Sequence, residues 1–183
     1  MAERLAGKVA VVVGAGQTPG DTVGNGRAIS ILFAREGAQV LCVDRDLARA
    51  QETVSMILAE GGKAHAFGAN ITRPAESESI VATAKSLWGR IDILVNNVGI
   101  GGGGDGPAHR LTEDAFDRIL NVNLKGMWLT TKSALPLMRE QGFGAMVNIS
   151  SLASFAGGNQ TAYEVSKAAV NRLTTSVASA NST

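Results

Sequence analysis

Tyr163 and Lys167 are the two side chains of this 183-residue sequence whose types and spacing point most directly to chemistry. The pattern from about residue 162 to the C-terminus predicts a helix, and residues four apart on a helix share one face. A phenol ionises near ~10 in water, and a lysine at about 4 Å in bulk water offsets this by only about 1 kcal/mol. A phenol that acts as a base near neutrality therefore needs a partly dry site or a second positive charge, such as an oxidised nicotinamide.

Tyr-x-x-x-Lys alone is short enough to be the exposed face of an ordinary helix, so its neighbours matter. Ser150 and Ser151 follow a predicted strand and precede this helix by a loop of small residues. From there both serines face the phenol and the ammonium across the loop. Together with a glycine-rich turn after the first predicted strand, these serines favour a catalytic site.

Five short apolar runs alternate with helical patterns along the chain. The predicted strands are residues 8–13, 39–44, 63–67, 91–95 and 145–149, of which 63–67 is the weakest. The predicted helices are residues 27–36, 47–60, 74–89, 113–140 and 162 onward, with a candidate kink at Pro136. This alternation predicts right-handed βαβ units. We expect one Rossmann-like α/β domain over residues 1–183, with a doubly wound parallel sheet in three αβα layers.

A turn rich in glycine joins the first strand to the first helix. Phosphate oxygens bind well at a helix N-terminus, but the backbone must come close, and glycine permits that. One suitable set is Gly14, Gly24 and Gly26, which makes the intervening QTPGDTV an inserted, ordered flap. The other set begins at Gly20 instead of Gly14. We favour the first because Gly14 leaves the strand directly.

The run GGGGDG at residues 101–106 is the one low-complexity stretch. Such a run is not rigid by itself. We expect either a mobile loop beside a site or a plain linker.

Composition narrows the class of protein. The net charge of +1 offers no basic field for nucleic acid, and the apolar share of 45% argues against disorder. No apolar run reaches membrane-spanning length, and the N-terminus lacks the apolar core of a signal peptide, so we expect a soluble cytoplasmic protein. Cys42 fits a buried strand position, and His65 and His109 have no metal-ligand spacing. We expect no metal site.

Taken in order, the motifs resemble those of the short-chain dehydrogenase/reductase family, in its single-domain branch. They are the glycine turn, Asp44, Asn96-Asn97-Val98-Gly99, Asn123 within NVNLKG, Ser150-Ser151, and Tyr163-x-x-x-Lys167. Each motif is weak alone, but their order on alternating strands and helices is specific. The resemblance implies that a nicotinamide dinucleotide is bound by Gly14, Gly24, Asn25, Gly26, Asp44, Asn70, Ile71, Asn97, Gly99, Tyr163 and Lys167.

The resemblance also implies catalytic roles. Tyr163 would exchange the substrate's hydroxyl proton, and Lys167 would bind the nicotinamide ribose and stabilise the phenolate. Asn123 would hold a water in a proton relay. Ser151 would hydrogen-bond the substrate oxygen. We favour it because it begins Ser-Leu-Ala-Ser, although Ser150 has the commoner thirteen-residue distance to the tyrosine.

The sequence departs from the family pattern in two places. Asn70 stands where the family usually has an aspartate facing the adenine, so that contact is changed or shared with the backbone of Ile71. Family members also continue for a further strand, a substrate-covering segment and a last strand. We expect a sheet without those C-terminal strands, and a substrate that the sequence does not identify.

Cofactor choice depends on Asp44, which ends the second strand eighteen residues after Gly26. A carboxylate there accepts hydrogen bonds from ribose hydroxyls and repels the 2′-phosphate of NADP. Arg45 could swing toward that phosphate, and Asp44 could merely start the next turn, although Asp46 suits helix capping better. The predicted cofactor is NAD.

Three functions are consistent with these features. The first is an NAD-dependent oxidoreductase that interconverts a secondary alcohol and a ketone. The second is a nucleotide-binding regulatory or scaffold protein without turnover, and the third is an epimerase or dehydratase with tightly held NAD. We also expect a homodimer or homotetramer built on the two long helices. Its apolar surface would comprise Leu124, Met127, Trp128, Leu135, Val165, Ala169 and Leu173.

Overall fold

The structure of the protein, a computed structural model, describes residues 3–18 and 20–181. Its parallel strands are β1 (Val9–Val13), β2 (Gln39–Asp44), β3 (Lys63–Gly68), β4 (Ile93–Asn96) and β5 (Ala145–Asn148). Its α-helices are α1 (Asn25–Arg35), α2 (Leu47–Ala59), α3 (Pro74–Trp88), α4 (Glu113–Leu120), α5 (Met127–Gln141) and α6 (Thr161–Ser179). A π-helical segment, Asn121–Gly126, joins α4 to α5, and a short 3-10 helix, Leu152–Ser154, follows β5.

The strand order is β3-β2-β1-β4-β5, and every neighbouring pair is parallel. The direction of winding reverses between β1 and β4, so the carboxyl ends of these two strands flank a crevice. In doubly wound sheets ligands bind at this switch point. The predicted Rossmann-like α/β fold is confirmed.

The core lies on both faces of the sheet, as the β-branched KVAVVV run predicts. Alternate residues of β1, Val11 and Val13, pack in a cluster that includes Ile80 from α3 and Ala134 from α5. The residues between them, such as Val12, pack against α1 and α2 in a second cluster. The sheet is therefore the middle of three layers.

Local signals place several helix ends correctly. The Asp46 carboxylate accepts a hydrogen bond from the Ala48 N–H over 3.1 Å at the start of α2, and Pro74 opens α3. Gly37 follows α1 with a φ of 92°, and Gly89 caps α3 with a φ of 75°. These left-handed positions suit glycine.

The predicted long helix over residues 113–140 is present as a continuous helical segment, but its middle turn is π-helical. The departure from α-helical hydrogen bonding lies at Asn121–Gly126, while Pro136 sits within α5. A π turn holds more residues than an α turn, which rotates the later residues of the helix about its axis. This explains why Met127, predicted on the exposed face, is fully buried.

In the described part of the chain, no helix combines the length and the apolarity needed to cross a membrane. No group of three or more His, Cys, Asp or Glu side chains there is arranged to hold a metal ion.

Candidate active site

Lys167 lies at the centre of the site, on the face of α6 turned toward the carboxyl ends of β4 and β5. Its residue is 3% exposed, and its ammonium donates a hydrogen bond to the Ile149 carbonyl oxygen over 2.8 Å. Burial lowers the pKa of Lys167 because it disfavours the charged form. The turn after β4 also lies close to the ammonium, because a β-carbon added to Gly99 would stand 3.0 Å from the ammonium nitrogen.

Tyr163 lies one helical turn before Lys167 on the same face. The Lys167 ammonium nitrogen is 5.8 Å from the centroid of the Tyr163 ring. The ring edge packs against Gly101, whose added β-carbon would lie 3.6 Å from Tyr163 Cδ2. The structure thus brings together the phenol and the ammonium that the sequence pairs.

The two serines differ in how their hydroxyls are engaged. Ser150 Oγ donates to the Lys167 carbonyl oxygen over 3.1 Å and so ties β5 to α6. Ser151 Oγ accepts a hydrogen bond from the Ala153 N–H over 3.2 Å at the start of the 3-10 helix. Within residues 3–18 and 20–181, no acceptor takes the hydroxyl hydrogen of Ser151. That hydroxyl retains the ability to donate to a substrate oxygen.

Asn123 lies in the π-helical segment and is fully buried. Its Oδ1 accepts from the Ile100 N–H over 2.8 Å, and its Nδ2 donates to the Ile100 carbonyl oxygen over 2.9 Å and to Ser166 Oγ over 3.0 Å. Both amide hydrogens are therefore used to fasten the β4 turn to α6. A water held by this side chain would have one lone pair of Oδ1 to bind.

The glycine turn brings Gly14 and Gly26 into direct contact. Gly14 has a φ of 83°, and a β-carbon on Gly26 would stand 1.8 Å from the Gly14 carbonyl oxygen. Gly24 is the N-cap residue of α1, and Asn25 is the first helical residue. Among the described residues, apart from its chain neighbours, no atom lies within 4 Å of the β-carbon position of Gly20. The close backbone contact is therefore made within the set that begins at Gly14.

The amino end of α1 is suited to an anion. Gly24 provides no side-chain cap, and the first turn has no acidic residue. The N–H of Gly24 itself bonds to Gln17 Oε1 over 2.9 Å, which anchors one end of the inserted flap. The first-turn N–H groups of α1 and the helix dipole fit a phosphate.

Asp44 lies beside this turn at the carboxyl end of β2. Its Oδ2 accepts from the Gly16 N–H over 3.1 Å, and its Oδ1 accepts from the Asp46 N–H over 3.0 Å. Each oxygen keeps lone-pair capacity for a ribose hydroxyl. Arg45 is exposed.

Asn97 and Asn70 lie at the same edge of the sheet. Asn97 Nδ2 donates to the Gly14 carbonyl oxygen over 3.1 Å and so joins the ends of β1 and β4. Asn70 Oδ1 accepts from both the N–H and the hydroxyl of Thr72, over 3.1 and 2.8 Å. The buried Ile71 side chain packs under Gly126. Asn70 therefore has its amide nitrogen, and not its amide oxygen, available to a ligand.

The glycine run after β4 is a loop beside the site, which is one of the two predicted alternatives, and hydrogen bonds hold it at several points. Arg118 of α4 donates to the carbonyl oxygens of Gly102 and Gly103 over 2.6 and 3.1 Å. Asp105 accepts from the backbone N–H groups of Ala162 and Tyr163. Asp105 is the site residue that the sequence did not reveal, because a carboxylate that caps a helix 57 residues away leaves no local pattern.

Comparison with known proteins adds to this geometry. A sequence model of the short chain dehydrogenase family matches residues 8–182. An uncharacterized oxidoreductase of Thermotoga maritima is 38% identical over 173 residues, which are 94% of this chain and 65% of that protein. The 7alpha-hydroxysteroid dehydrogenase of Clostridium sardiniense is 38% identical over 180 residues, with 96% of this chain and 66% of that protein covered.

Solved structures agree. The crystal structure of a short-chain dehydrogenase/reductase from Burkholderia xenovorans superimposes with a TM-score of 0.91 at 42% identity. The match covers 96% of this chain and 69% of that one. The chain spans about two thirds of the length of the curated relatives it matches. With its parallel sheet, its glycine turn and its Tyr163–Lys167 pair, the chain belongs to the short-chain dehydrogenase family of oxidoreductases.

Proposed function

We propose that the chain carries the cofactor site and the proton-transfer site of an NAD-dependent oxidoreductase that interconverts a secondary alcohol and a ketone. The observation that carries this proposal is the packing of the Lys167 ammonium near the Tyr163 ring and against the β4 turn, which is itself hydrogen-bonded to the glycine turn through Asn97. The name of the hydroxysteroid dehydrogenase relative supports a hydroxyl-bearing carbon as the reacting group.

In this mechanism the phenolate of Tyr163 takes the proton of the substrate hydroxyl while Ser151 donates a hydrogen bond to the same oxygen. An ammonium has three N–H donors, of which Lys167 gives one to Ile149. The others can bind the ribose of the cofactor, and the positive charge stabilises the phenolate in this partly dry site. A bound NAD would supply the hydride acceptor that oxidation of the alcohol to the ketone requires.

The cofactor groups fit the crevice at the β1–β4 switch point. The open amino end of α1 and the glycine contact at Gly14 suit the pyrophosphate, and Asp44 suits the adenosine ribose. Asn97 and Gly99 line the turn next to Lys167, where the nicotinamide would lie. The single carboxylate of Asp44 at the ribose position supports NAD over NADP.

The test is nicotinamide absorbance of the purified chain with a panel of secondary alcohols and ketones. Turnover with NAD supports the proposal. NADH binding without an absorbance change on any substrate would instead favour a nucleotide-binding protein without turnover. Cofactor that remains bound through purification would favour an epimerase or dehydratase.

We also propose that copies of the chain associate through α5 and α6 as a homodimer or homotetramer. Trp128 and Val165 remain 42% and 45% exposed on these helices, and Phe116 on α4 is 39% exposed. Exposed apolar side chains on neighbouring helices favour an isologous contact. A monomeric mass by light scattering at micromolar concentration would contradict this assembly.

A further inference from the structure

The amino end of α6 is capped by a residue from a different part of the chain. Its own N-cap residue, Gln160, makes no side-chain capping hydrogen bond. The two carboxylate oxygens of Asp105 do this instead. Oδ1 accepts from the Ala162 N–H over 3.0 Å, and Oδ2 accepts from the Tyr163 N–H over 3.1 Å. The Tyr163 backbone is therefore held by Asp105 in addition to the hydrogen bonds of α6.

The rest of the glycine loop is fixed by hydrogen bonds from α4 and from the residue that precedes it. Arg118 holds the carbonyl oxygens of Gly102 and Gly103, and the Thr112 N–H donates to the Gly104 carbonyl oxygen over 3.2 Å. Gly102, Gly103 and Gly104 have φ values of 66°, 59° and 98°, which L side chains rarely adopt. These three glycines thus permit a path that brings Asp105 to α6.

The same loop begins at the turn that lines the cofactor side of the site. Gly99 lies against the Lys167 ammonium, and Ile100 is bonded through both its N–H and its carbonyl oxygen to Asn123. Five residues later Asp105 reaches the first turn of α6. The loop therefore links the β4 turn to Tyr163 through hydrogen bonds at both ends.

We propose that Asp105 is a positioning residue that sets the place of Tyr163 relative to Lys167 and the β4 turn. Among the described residues, its carboxylate accepts hydrogen bonds from backbone N–H groups, including that of Tyr163, and none from the phenol. Its consequence for turnover rests on the proposed function, while its consequence for the tyrosine ring does not. A displacement on the order of 1 Å at a reacting group lowers turnover by roughly a hundredfold.

The sequence offers a direct probe, because Tyr163 is the only tyrosine. A chain labelled with isotopic tyrosine gives one set of ring signals by NMR. We expect Asp105→Ala to shift or split these signals and to speed hydrogen exchange at the Tyr163 amide. Asp105→Asn keeps the shape and one acceptor oxygen, so its signals should lie closer to those of the unaltered chain. If Asp105→Ala does not fold, Asp105→Asn is compared with the unaltered chain in its place.

Glu164 provides the matched control. Its Oε1 accepts from the Gly158 and Gln160 N–H groups over 2.5 and 3.0 Å, so it also caps this end of α6, but it does not bond Tyr163. We expect Glu164→Ala to leave the ring signals in place. Unchanged signals in folded Asp105→Ala, or equal changes in Glu164→Ala, would overturn the proposal.

Turnover supplies a second readout. We expect Asp105→Ala to lower kcat by about 10- to 100-fold with the NAD dissociation constant within about twofold, and Asp105→Asn to recover part of the loss. A loss confined to NAD affinity would overturn the positioning role. If the unaltered chain turns over no alcohol or ketone, the proposed function fails, and the ring signals still decide the role of Asp105.

Discussion

Gly26 lies so close to Gly14 that a β-carbon on Gly26 would stand 1.8 Å from the Gly14 carbonyl oxygen. This contact seats the amino end of α1 against the end of β1. The first-turn N–H groups of α1 are thereby placed at the end of the sheet, where they suit an anion.

The first prediction concerns that contact. We expect Gly26→Ala to destabilise the protein by roughly 3 kcal/mol, because a fixed backbone carbonyl must move, and to weaken NAD binding. Gly20→Ala is the control, since its β-carbon would meet open space. Chemical denaturation and cofactor titration of both variants provide the measurement. Equal stabilities for the two variants would refute the packing.

Lys167 gives the second prediction. Burial lowers its pKa, so the folded state gains stability as the pH rises toward the ordinary lysine value of 10.5. We expect Lys167→Met to remove this gain and to change stability at neutral pH by less than about 1 kcal/mol, because a buried charge is costly. Turnover should fall by at least about a hundredfold.

Lys132→Met is the matched control for Lys167. Its ammonium is on the surface, 5.5 Å from the centroid of the Trp128 ring. We expect Lys132→Met to leave both the pH dependence of stability and the turnover unchanged. A normal rate in Lys167→Met, measured by NADH absorbance, would be incompatible with the assigned role.

Asp44 gives the third prediction, on cofactor choice. We expect NAD to bind at least about tenfold more tightly than NADP, or about 1.4 kcal/mol. Asp44→Ala should reduce this preference, because it weakens NAD binding and removes the negative charge that repels the 2′-phosphate of NADP. Dissociation constants from calorimetry test this. Equal affinities in the unaltered protein would reject NAD as the preferred cofactor.

Cys42 gives the fourth prediction. It is fully buried in β2, and burial raises the pKa of its thiol to about 11. We expect an aromatic disulfide reagent at about pH 8 to label it only as the chain unfolds, since the thiolate is the reactive form. The protonated thiol contributes stability at pH values below its unfolded-state pKa of 9.0, and this contribution is lost as the pH rises toward its folded-state pKa of about 11. Rapid labelling of the folded protein would contradict the packing.

The sequence predicts the parts of this structure that depend on local patterns. The β-branched run of β1 needs burial on both faces, Asp46 has the usual position of a helix cap, and Tyr163 and Lys167 meet because a helix has a fixed period. The spacing of the glycines in the first turn leaves two sets open, and the position of Gly14 at the end of β1 favours one of them. In the structure Gly14 and Gly26 are in contact.

The parts that the sequence does not predict depend on distant partners. The π turn at Asn121–Gly126 changes a hydrogen-bond register, which the apolar period of residues 113–140 does not encode. Asp105 sits in a glycine run whose composition predicts flexibility, yet its carboxylate is fixed by α6. The engagement of Ser150 with the Lys167 carbonyl likewise becomes visible only when β5 and α6 are packed together.

The most direct test of the proposed function is the rate of NAD reduction by Tyr163→Phe compared with the unaltered chain, on a secondary alcohol that the unaltered chain oxidises. The substitution removes one oxygen atom and leaves the ring that packs against Gly101. We expect NAD to remain bound and the rate to fall by at least about a hundredfold, because the proton acceptor is lost. A rate that stays above a few per cent of that of the unaltered chain would contradict the role of Tyr163.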